Sequence, residues 1–272
     1  MLATRGTMRL LGSVALLASA ACSINAHHGA VASHAHWHAH STVTANMGEV
    51  TTANLLSPVV WQTIGHSVEG RPLRMQRVGH GRRRVLWIGG IHGDEPQGVV
   101  ATASLASAFE QARLENRVTL VIVEDDNPDG RVRHTRDNAN HVDLNRNFPA
   151  RNFDRTNSES GRTPLSQPES RALYDLIRRV HPDLVISCHA SRGHQFINYD
   201  GPAKAIAERF SAKSGLPVEA SNSLGFGTPG SLGSLVGIDR GIPILTIELL
   251  RGSSPTADWY AIRRAAVSVI AR

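Results

Sequence analysis

The stretch RVLWIGGIHGDEPQG, residues 84–98, decides the fold and poses the first functional question. It begins with an apolar run without alternation, which is typical of a strand covered on both faces. The run ends at two glycines, and His92 and Glu95 follow in a tight turn before Pro96, a residue suited to the first turn of a helix. The glycines would let the backbone approach a bound metal ion closely. The stretch therefore predicts a buried strand, a turn with two potential metal ligands and a helix over residues 95–112.

Apolar runs alternate with helical segments along the rest of the chain, which predicts one domain over residues 58–272. Strands are predicted at 59–65, 72–79, 84–90, 118–125, 183–190, 195–201 and 242–249, and further helices at 167–180, 201–215 and 255–272. The polar segment 126–166 is predicted to be one long loop, and loops of that length are usually functional. The alternation predicts an α/β sandwich around a mostly parallel or mixed sheet.

Three of the predicted strands end in a residue that can bind a metal ion or transfer a proton: His92, His189 and Glu248. Ligand sites of open α/β sheets lie at the carboxyl ends of the strands, so we expect these side chains to converge. Two histidines and a glutamate form an established ligand set for a catalytic zinc ion. His92, Glu95 and His189 are therefore candidate ligands of one Zn²⁺ per chain. The alternatives are a turn histidine, a carboxylate favoured by a helix N-terminus and a core histidine.

The first 26 residues have the pattern of a signal peptide. Arg5 and Arg9 precede the apolar stretch LLGSVALLASAA, which is too short to span a bilayer. The pattern predicts an exported, periplasmic protein without a membrane span. Cys22 offers an alternative as a lipidated residue, although Ser19 stands where that motif usually has leucine.

Residues 27–57 are predicted to be a His-rich, disordered segment followed by a linker. Six histidines fall within HHGAVASHAHWHAH, residues 27–40, and such tracts bind metals weakly without a fold. Extra, weak zinc binding is therefore expected there. The net charge is +6, but no basic run is interleaved with aromatic residues, so nucleic acid is not expected as a partner.

Six motifs occur in the order in which they recur in zinc carboxypeptidases of the M14 class: IGHSVEGRPL, GGIHGDEPQG, NPDG, DLNRNFP, ISCHA and TIEL. The chain resembles that family from about residue 60 to its C-terminus. INYDGPA and TPGSLGS further resemble the murein peptide amidase branch, whose members cut the γ-D-glutamyl–diaminopimelate bond. The resemblance implies a three-layer α/β/α sandwich with a central mixed, mostly parallel twisted sheet.

The resemblance also assigns roles to the strand-end residues. It implies that His92, Glu95 and His189 bind zinc and that Glu248 is the general base. Asp143 matches the carboxylate that orients the first ligand histidine, fixing its tautomer and raising its basicity.

Residues of the polar loop are implied in binding the substrate. Asn145 and Arg146 match the pair that holds the terminal carboxylate, since a guanidinium fork suits a free acid. Arg136 matches the arginine that binds near that end and polarises the scissile carbonyl. Arg131 and Arg133 lie in the same loop and are alternatives for that role.

The resemblance thus implies a zinc hydrolase that removes the C-terminal residue of a small peptide with a free carboxylate, from the cell wall. Alternatives are a broad-specificity metallocarboxypeptidase, an aspartoacylase-like N-acyl amino acid deacylase and a non-enzymatic periplasmic zinc-binding protein. Peptide-cleaving members carry a tyrosine shortly before the late glutamate, whereas GSLGSLVGIDRG has none. Arg192 and His194 follow a predicted ligand and are hypothesised to line the substrate cavity.

Overall fold

The computed structural model describes residues 60–221 and 228–272. The predicted signal peptide, 1–26, and the His-rich segment and linker, 27–57, lie outside the described residues, as does the zinc binding expected of 27–40. Within the described part of the chain, no helix has both the length and the hydropathy that a bilayer span requires.

The centre of the fold is an eight-stranded mixed sheet. Its strands are β1 (Gln62–His66), β2 (Pro72–Val78), β3 (Arg83–Ile88), β4 (Val118–Val123), β5 (Leu184–Ser191), β6 (Phe196–Asp200), β7 (Val218–Ala220) and β8 (Ile244–Leu250). Their order across the sheet is β1-β2-β4-β3-β5-β8-β6-β7. The middle block β4-β3-β5-β8 is parallel, whereas β2 pairs with β4, and β6 with β8, in antiparallel fashion. The expected mixed, mostly parallel sheet is confirmed.

Helices and helical turns follow the strands. They are α1 (Pro96–Gln111), α2 (Pro128–Arg133), α3 (Pro168–Val180), α4 (Lys204–Ser214) and α5 (Pro255–Ile270), with 3₁₀ turns at Leu144–Arg146 and Ser158–Ser160 and a π-helical segment at Gly233–Asp239. Four of the five α-helices begin at a proline, whose fixed φ suits the first helical position.

Helices cover both faces of the sheet, as β3 shows. Val85 and Trp87 pack into a core shared with α1, α4 and α5, while Leu86 and Ile88 pack on the opposite face against α3. All four side chains are fully buried. Successive strand residues point to opposite faces, so a run of four buried apolar residues requires cover on both sides. The result is the expected three-layer arrangement.

Three elements differ from the sequence-based expectation. The segment 126–166 is not one uninterrupted loop, because it contains α2 and two 3₁₀ turns. Strand β7 and the π-helical segment Gly233–Asp239 were not expected at all. Each is seven residues or fewer, too short to show a hydrophobic period in the sequence.

Asp126 is a buried acid beside the turn that follows β3. Its backbone N–H donates to the Gly89 carbonyl at 3.0 Å. Both carboxyl oxygens are buried without a hydrogen-bond partner among the described residues. Burial raises the pKa of this carboxyl well above its usual value, and the nearby Glu169 and Asp125 raise it further. The folded protein therefore holds a proton there at pH values at which the unfolded chain has released it.

Replacing Asp126 by asparagine should flatten the pH dependence of stability. The stabilising effect of that proton is fully present below the ordinary pKa, about 3.9, and is lost as the pH rises towards the elevated value. Urea unfolding of the zinc-saturated protein between pH 5 and 8 should show a smaller decline for Asp126→Asn than for wild type. The exposed Asp175→Asn is the control. If the free energy of unfolding declined equally with pH in wild type and Asp126→Asn, the assignment of a bound proton to Asp126 would be wrong.

Candidate metal centre and substrate cavity

The turn between β3 and α1 places His92 and Glu95 side by side. The Glu95 N–H donates to the His92 carbonyl at 3.2 Å, and Glu95 is the residue that precedes the first turn of α1. A Cβ atom on Gly93 would lie 2.0 Å from the carbonyl carbon of Gly130. The absence of a side chain on Gly93 therefore allows this turn to pack closely against α2.

Parallel pairing brings the other strand-end residues to the same edge. Ile88 of β3 is level with Ser187 of β5, so the chain after β3 lies beside His189. His189 in turn is level with Glu248 of β8. Side chains two residues apart share a face, so Ser187 and His189 point to the same side of the sheet.

The donor atoms of His92, Glu95 and His189 form a buried triangle. The two Nδ1 atoms are 3.0 Å apart, and the Glu95 carboxylate oxygens lie 3.0 Å from His92 Nδ1 and 3.1 Å from His189 Nδ1. Ligands about 2.1 Å from a tetrahedral zinc ion lie roughly 3.4 Å from one another. Shifts of a few tenths of an ångström would admit the ion, so the three residues fit Zn²⁺ in both donor type and spacing.

Each histidine ring is held by its second nitrogen. His92 Nε2 is 3.1 Å from Asp143 Oδ1, and His189 Nε2 is 2.9 Å from Ser187 Oγ. These contacts direct both Nδ1 atoms towards Glu95, as partners behind a metal-binding histidine do. The structure thus brings Asp143 to the position predicted for it, and it adds Ser187, which sequence reasoning missed.

Buried charges of opposite sign stabilise one another in this cluster. Burial alone would lower the pKa of His92, but Glu95 and Asp143 outweigh that effect and raise it to about 9. Burial would raise the pKa of both carboxyls, yet the histidines beside them hold each pKa well below its usual range. The carboxylates are therefore ionised, which is the form that binds a metal ion.

Of the three loop arginines considered from the sequence, Arg136 is the one that reaches the cluster. Its Nη2 lies 2.9 Å from Asp143 Oδ2, and its Nη1 lies 3.4 Å from Glu95 Oε1. Arg131 and Arg133 pair with carboxylates outside the cluster. The position beside the metal ligands that was predicted for an arginine is therefore filled by Arg136.

A cavity of about 480 Å³ opens over the cluster. Asn145 and Arg146 line it, and the Asn145 side-chain oxygen accepts the Leu232 N–H at 2.9 Å, which leaves the amide NH₂ for a ligand. Among the described residues, Arg146 makes one side-chain hydrogen bond, from Nη1 to the Asn145 carbonyl at 2.8 Å. Arg192 and His194 also line the cavity, as hypothesised from the sequence.

Arg251 is a further cavity residue that sequence reasoning missed. Its Nη2 donates to Glu95 Oε1 at 2.7 Å, its Nε donates to the Ala190 carbonyl at 3.2 Å, and it pairs with Asp94. The signal available in the sequence was its place three residues after Glu248, at the same strand end. Arg251 therefore binds Oε1 of Glu95, the same carboxylate oxygen that lies beside His92 Nδ1.

Comparison with known proteins gives concordant results. Residues 53–223 match the sequence profile of the family described as zinc carboxypeptidase; the match includes His92, Glu95 and His189 and ends before Glu248. Murein peptide amidase A of Escherichia coli K12 is 34% identical over 210 residues, which cover 71% of this chain and 83% of that protein. The same enzyme of Vibrio campbellii is 30% identical over 214 residues, 72% of this chain and 81% of that protein.

Solved structures agree with the sequence relatives. The crystal structure of a murein-tripeptide amidase from Escherichia coli O157 superposes with a TM-score of 0.65 at 29% identity, covering 79% of this chain and 93% of that one. Bovine thrombin-activatable fibrinolysis inhibitor gives the same TM-score at 21% identity, covering 78% and 88% respectively. The second similarity concerns the fold alone.

Replacing Asp143 by asparagine should weaken zinc binding roughly 10- to 100-fold, the usual effect of removing the partner behind a ligand histidine. The reason is that His92 Nε2 would lose its ionised acceptor. Competition with a chromophoric chelator measures the tight site, and Asp175→Asn, exposed on α3, is the control. Unchanged affinity in Asp143→Asn would show that Asp143 does not support the ligand.

Proposed function

The chain belongs to the zinc carboxypeptidase family, and we propose that it releases the C-terminal residue of murein peptides by hydrolysing the γ-D-glutamyl–diaminopimelate bond. The chain is a zinc-dependent peptide-amide hydrolase by family. The observation that carries the finer proposal is the convergence, in one cavity, of three groups: the metal-ligand triangle, the Asn145–Arg146 pair, and Glu248, which has no hydrogen-bond partner among the described residues. The choice of bond follows the two relatives named murein peptide amidase A.

Asn145 and Arg146 bind the free carboxylate of the substrate in this proposal. Within the described part of the chain, most of the Arg146 guanidinium and the Asn145 amide NH₂ have no hydrogen-bond partner, and both residues line the cavity. A guanidinium and an amide offer the planar set of donors that a carboxylate accepts best. A peptide held there presents its last amide bond to the metal ligands.

Glu248 is the proposed general base. Its carboxylate faces the cavity without a hydrogen-bond partner among residues 60–221 and 228–272, and it lies level with His189. Burial raises the pKa of Glu248, an effect that His189 partly offsets, so this carboxylate accepts a proton more readily than an exposed one. Zinc, when bound, polarises the attacking water and the scissile carbonyl. Glu248 takes the proton from that water and delivers it to the leaving nitrogen.

Arg136 stabilises the charge that develops on the carbonyl oxygen. Its guanidinium is fixed by Asp143 beside the metal ligands, so it needs no reorganisation during the reaction. Removal of such a fixed donor typically lowers the rate by about 10²–10³.

Two enzyme alternatives remain for comparison: a broad-specificity metallocarboxypeptidase and an N-acyl amino acid deacylase. The tyrosine that peptide-cleaving members carry before the late glutamate has no counterpart in GSLGSLVGIDRG. Tyr199 packs against the core on the face away from the cavity, and Tyr260 is exposed on α5. The absence of that tyrosine favours the amidase over the broad carboxypeptidase.

Purified zinc-loaded protein should release diaminopimelate from L-Ala-γ-D-Glu-diaminopimelate and lose this activity with a chelator. N-acetyl-aspartate and ordinary peptides with varied C-terminal residues complete the panel of substrates.

Glu248→Gln should keep zinc and lose about 10²–10⁴ in kcat, because the amide cannot accept the proton. Glu208→Gln, exposed on α4, is the matched control. Normal cleavage by Glu248→Gln would refute the assignment of Glu248 as the general base. Preference for N-acetyl-aspartate would refute the γ-D-glutamyl–diaminopimelate bond as the bond that is hydrolysed.

We further propose that the protein is exported to the periplasm, on the pattern of residues 1–26. Cell fractionation should place the full chain in the periplasm and a chain lacking residues 1–26 in the cytoplasm. Retention of the full chain in the cytoplasm would end this proposal. Recovery in the membrane fraction, abolished by Cys22→Ser, would instead establish the lipidated alternative.

A further inference from the structure

A group of arginines lies on the surface at the end of the sheet opposite the metal centre. Two grooves there share Arg179 in their walls, and in the described part of the chain Asp175 is the one acidic residue that lines either of them. Four of the arginines are exposed and the fifth, Arg240, is half-buried. The arginine patch consists of Arg77, Arg84, Arg178, Arg179 and Arg240.

The length of the parallel strands separates the arginine patch from the metal centre. Arg84 lies at the beginning of β3, and Pro182 and Ile242, which line one of the grooves, come two residues before β5 and β8 begin. The metal ligands follow the carboxyl ends of the same strands. From Leu184 to His189 the chain of β5 rises about 17 Å at 3.3 Å per residue. A ligand bound at the arginine patch therefore leaves the cavity open.

The protein itself neutralises little of the positive charge in the arginine patch. Within the described residues, Arg84 is the one member with an acidic partner, Asp183, whose Oδ2 lies 4.0 Å from Arg84 Nε. Like charges held near one another repel, and an anion in the grooves would relieve that repulsion. The grooves therefore favour a negatively charged ligand.

The aromatic ring of Tyr174 orients two of the guanidinium groups. Cζ of Arg240 lies over this ring at 4.9 Å from its centre, and Cζ of Arg178 lies over it at 5.9 Å. A guanidinium above an aromatic face keeps its in-plane N–H donors free, whereas a salt bridge would occupy them. Such donors match the paired oxygens of a carboxylate or a phosphate. These two arginines are thus held in place for an anionic group.

We propose that the arginine patch docks the protein on the carboxylates of the murein polymer. The proposal rests on the proposed function, which identifies murein peptides as the substrate. A γ-linked glutamate keeps its α-carboxylate free, and diaminopimelate has two carboxyl groups, so this polymer presents many carboxylates. Several arginines along two adjoining grooves are able to bind several of them at once. Docking holds the open cavity close to its substrate and so raises the local substrate concentration.

Co-sedimentation with purified murein sacculi tests the arginine patch directly. Zinc-loaded Glu248→Gln protein should pellet with the sacculi without digesting them, and added salt should release it. The combined substitutions Arg178→Gln, Arg179→Gln and Arg240→Gln in that protein should weaken binding roughly 10-fold or more, because three exposed charge contacts are lost.

The matched control removes the same charge from other exposed positions on the surface, by Arg113→Gln, Arg263→Gln and Arg264→Gln. This control should change binding to sacculi by less than about twofold, as expected of surface substitutions away from a contact. Equal weakening by the two triple variants, or undiminished binding by the patch variant, would overturn the proposal.

Two further measurements separate docking at the arginine patch from binding in the cavity. Saturating L-Ala-γ-D-Glu-diaminopimelate fills the cavity and should leave the binding to sacculi intact. The patch variant with Glu248 retained should cleave that free tripeptide with kcat/KM within about twofold of wild type, which also shows that it is folded. Displacement from the sacculi by the tripeptide would assign the binding to the cavity and overturn the proposal.

The source of the negative charge is tested with two other surfaces. Sacculi whose carboxylates have been amidated with ethanolamine should no longer bind the protein, and undiminished binding to them would refute carboxylate recognition. Binding to phosphatidylglycerol vesicles but not to sacculi would assign the arginine patch to a lipid surface and overturn docking on murein. Failure of wild type to cleave the tripeptide would refute the proposed function, whereas the comparison of the two triple variants on sacculi would still decide the docking surface.

Discussion

The hydrogen-bonded register of three parallel strands brings His189 and Glu248 to one edge of the sheet, beside the turn that carries His92 and Glu95. β5 is level with β3 at Ser187 and Ile88, and with β8 at His189 and Glu248. Because side chains alternate between faces, a slip of one residue in β5 would turn His189 away from Glu95 and into the opposite core. Apolar packing on both faces of these strands prevents such a slip, so the two hydrophobic cores hold the metal ligands in place.

The cluster is also a balance of buried charge. Glu95 accepts from the Ala190 N–H at 3.0 Å and from Arg251, while Asp143 pairs with Arg136. Buried carboxylates are tolerated when such partners satisfy them, and the cost of losing one partner is high. The site is therefore organised by its own hydrogen bonds, and fixed dipoles and charges of this kind are the main source of transition-state stabilisation in enzymes.

Local sequence patterns were enough to predict seven of the eight strands and the polar residues at the ends of three of them. His92, His189 and Glu248 could be named because each terminates an apolar run, and the rule for open α/β sheets then placed them together. Arg136 could not be separated from Arg131 and Arg133 in this way, because the distinction depends on which carboxylate each one meets in three dimensions.

Arg251 shows the other limit of sequence reasoning. It donates to Glu95, a residue 156 positions away. This role arises from a non-local contact, which composition and spacing do not encode. α2 was missed for a simpler reason, since six residues are too few to reveal helical periodicity.

Anomalous diffraction at the zinc edge from crystals of the zinc-loaded protein would test the central claim most directly. The account predicts one full-occupancy peak in the described domain, at about 2.1 Å from Nδ1 of both His92 and His189 and bound by Glu95, with a position open to solvent. A fully loaded crystal without a peak between these three side chains, or with its strong peak on other ligands, would contradict it.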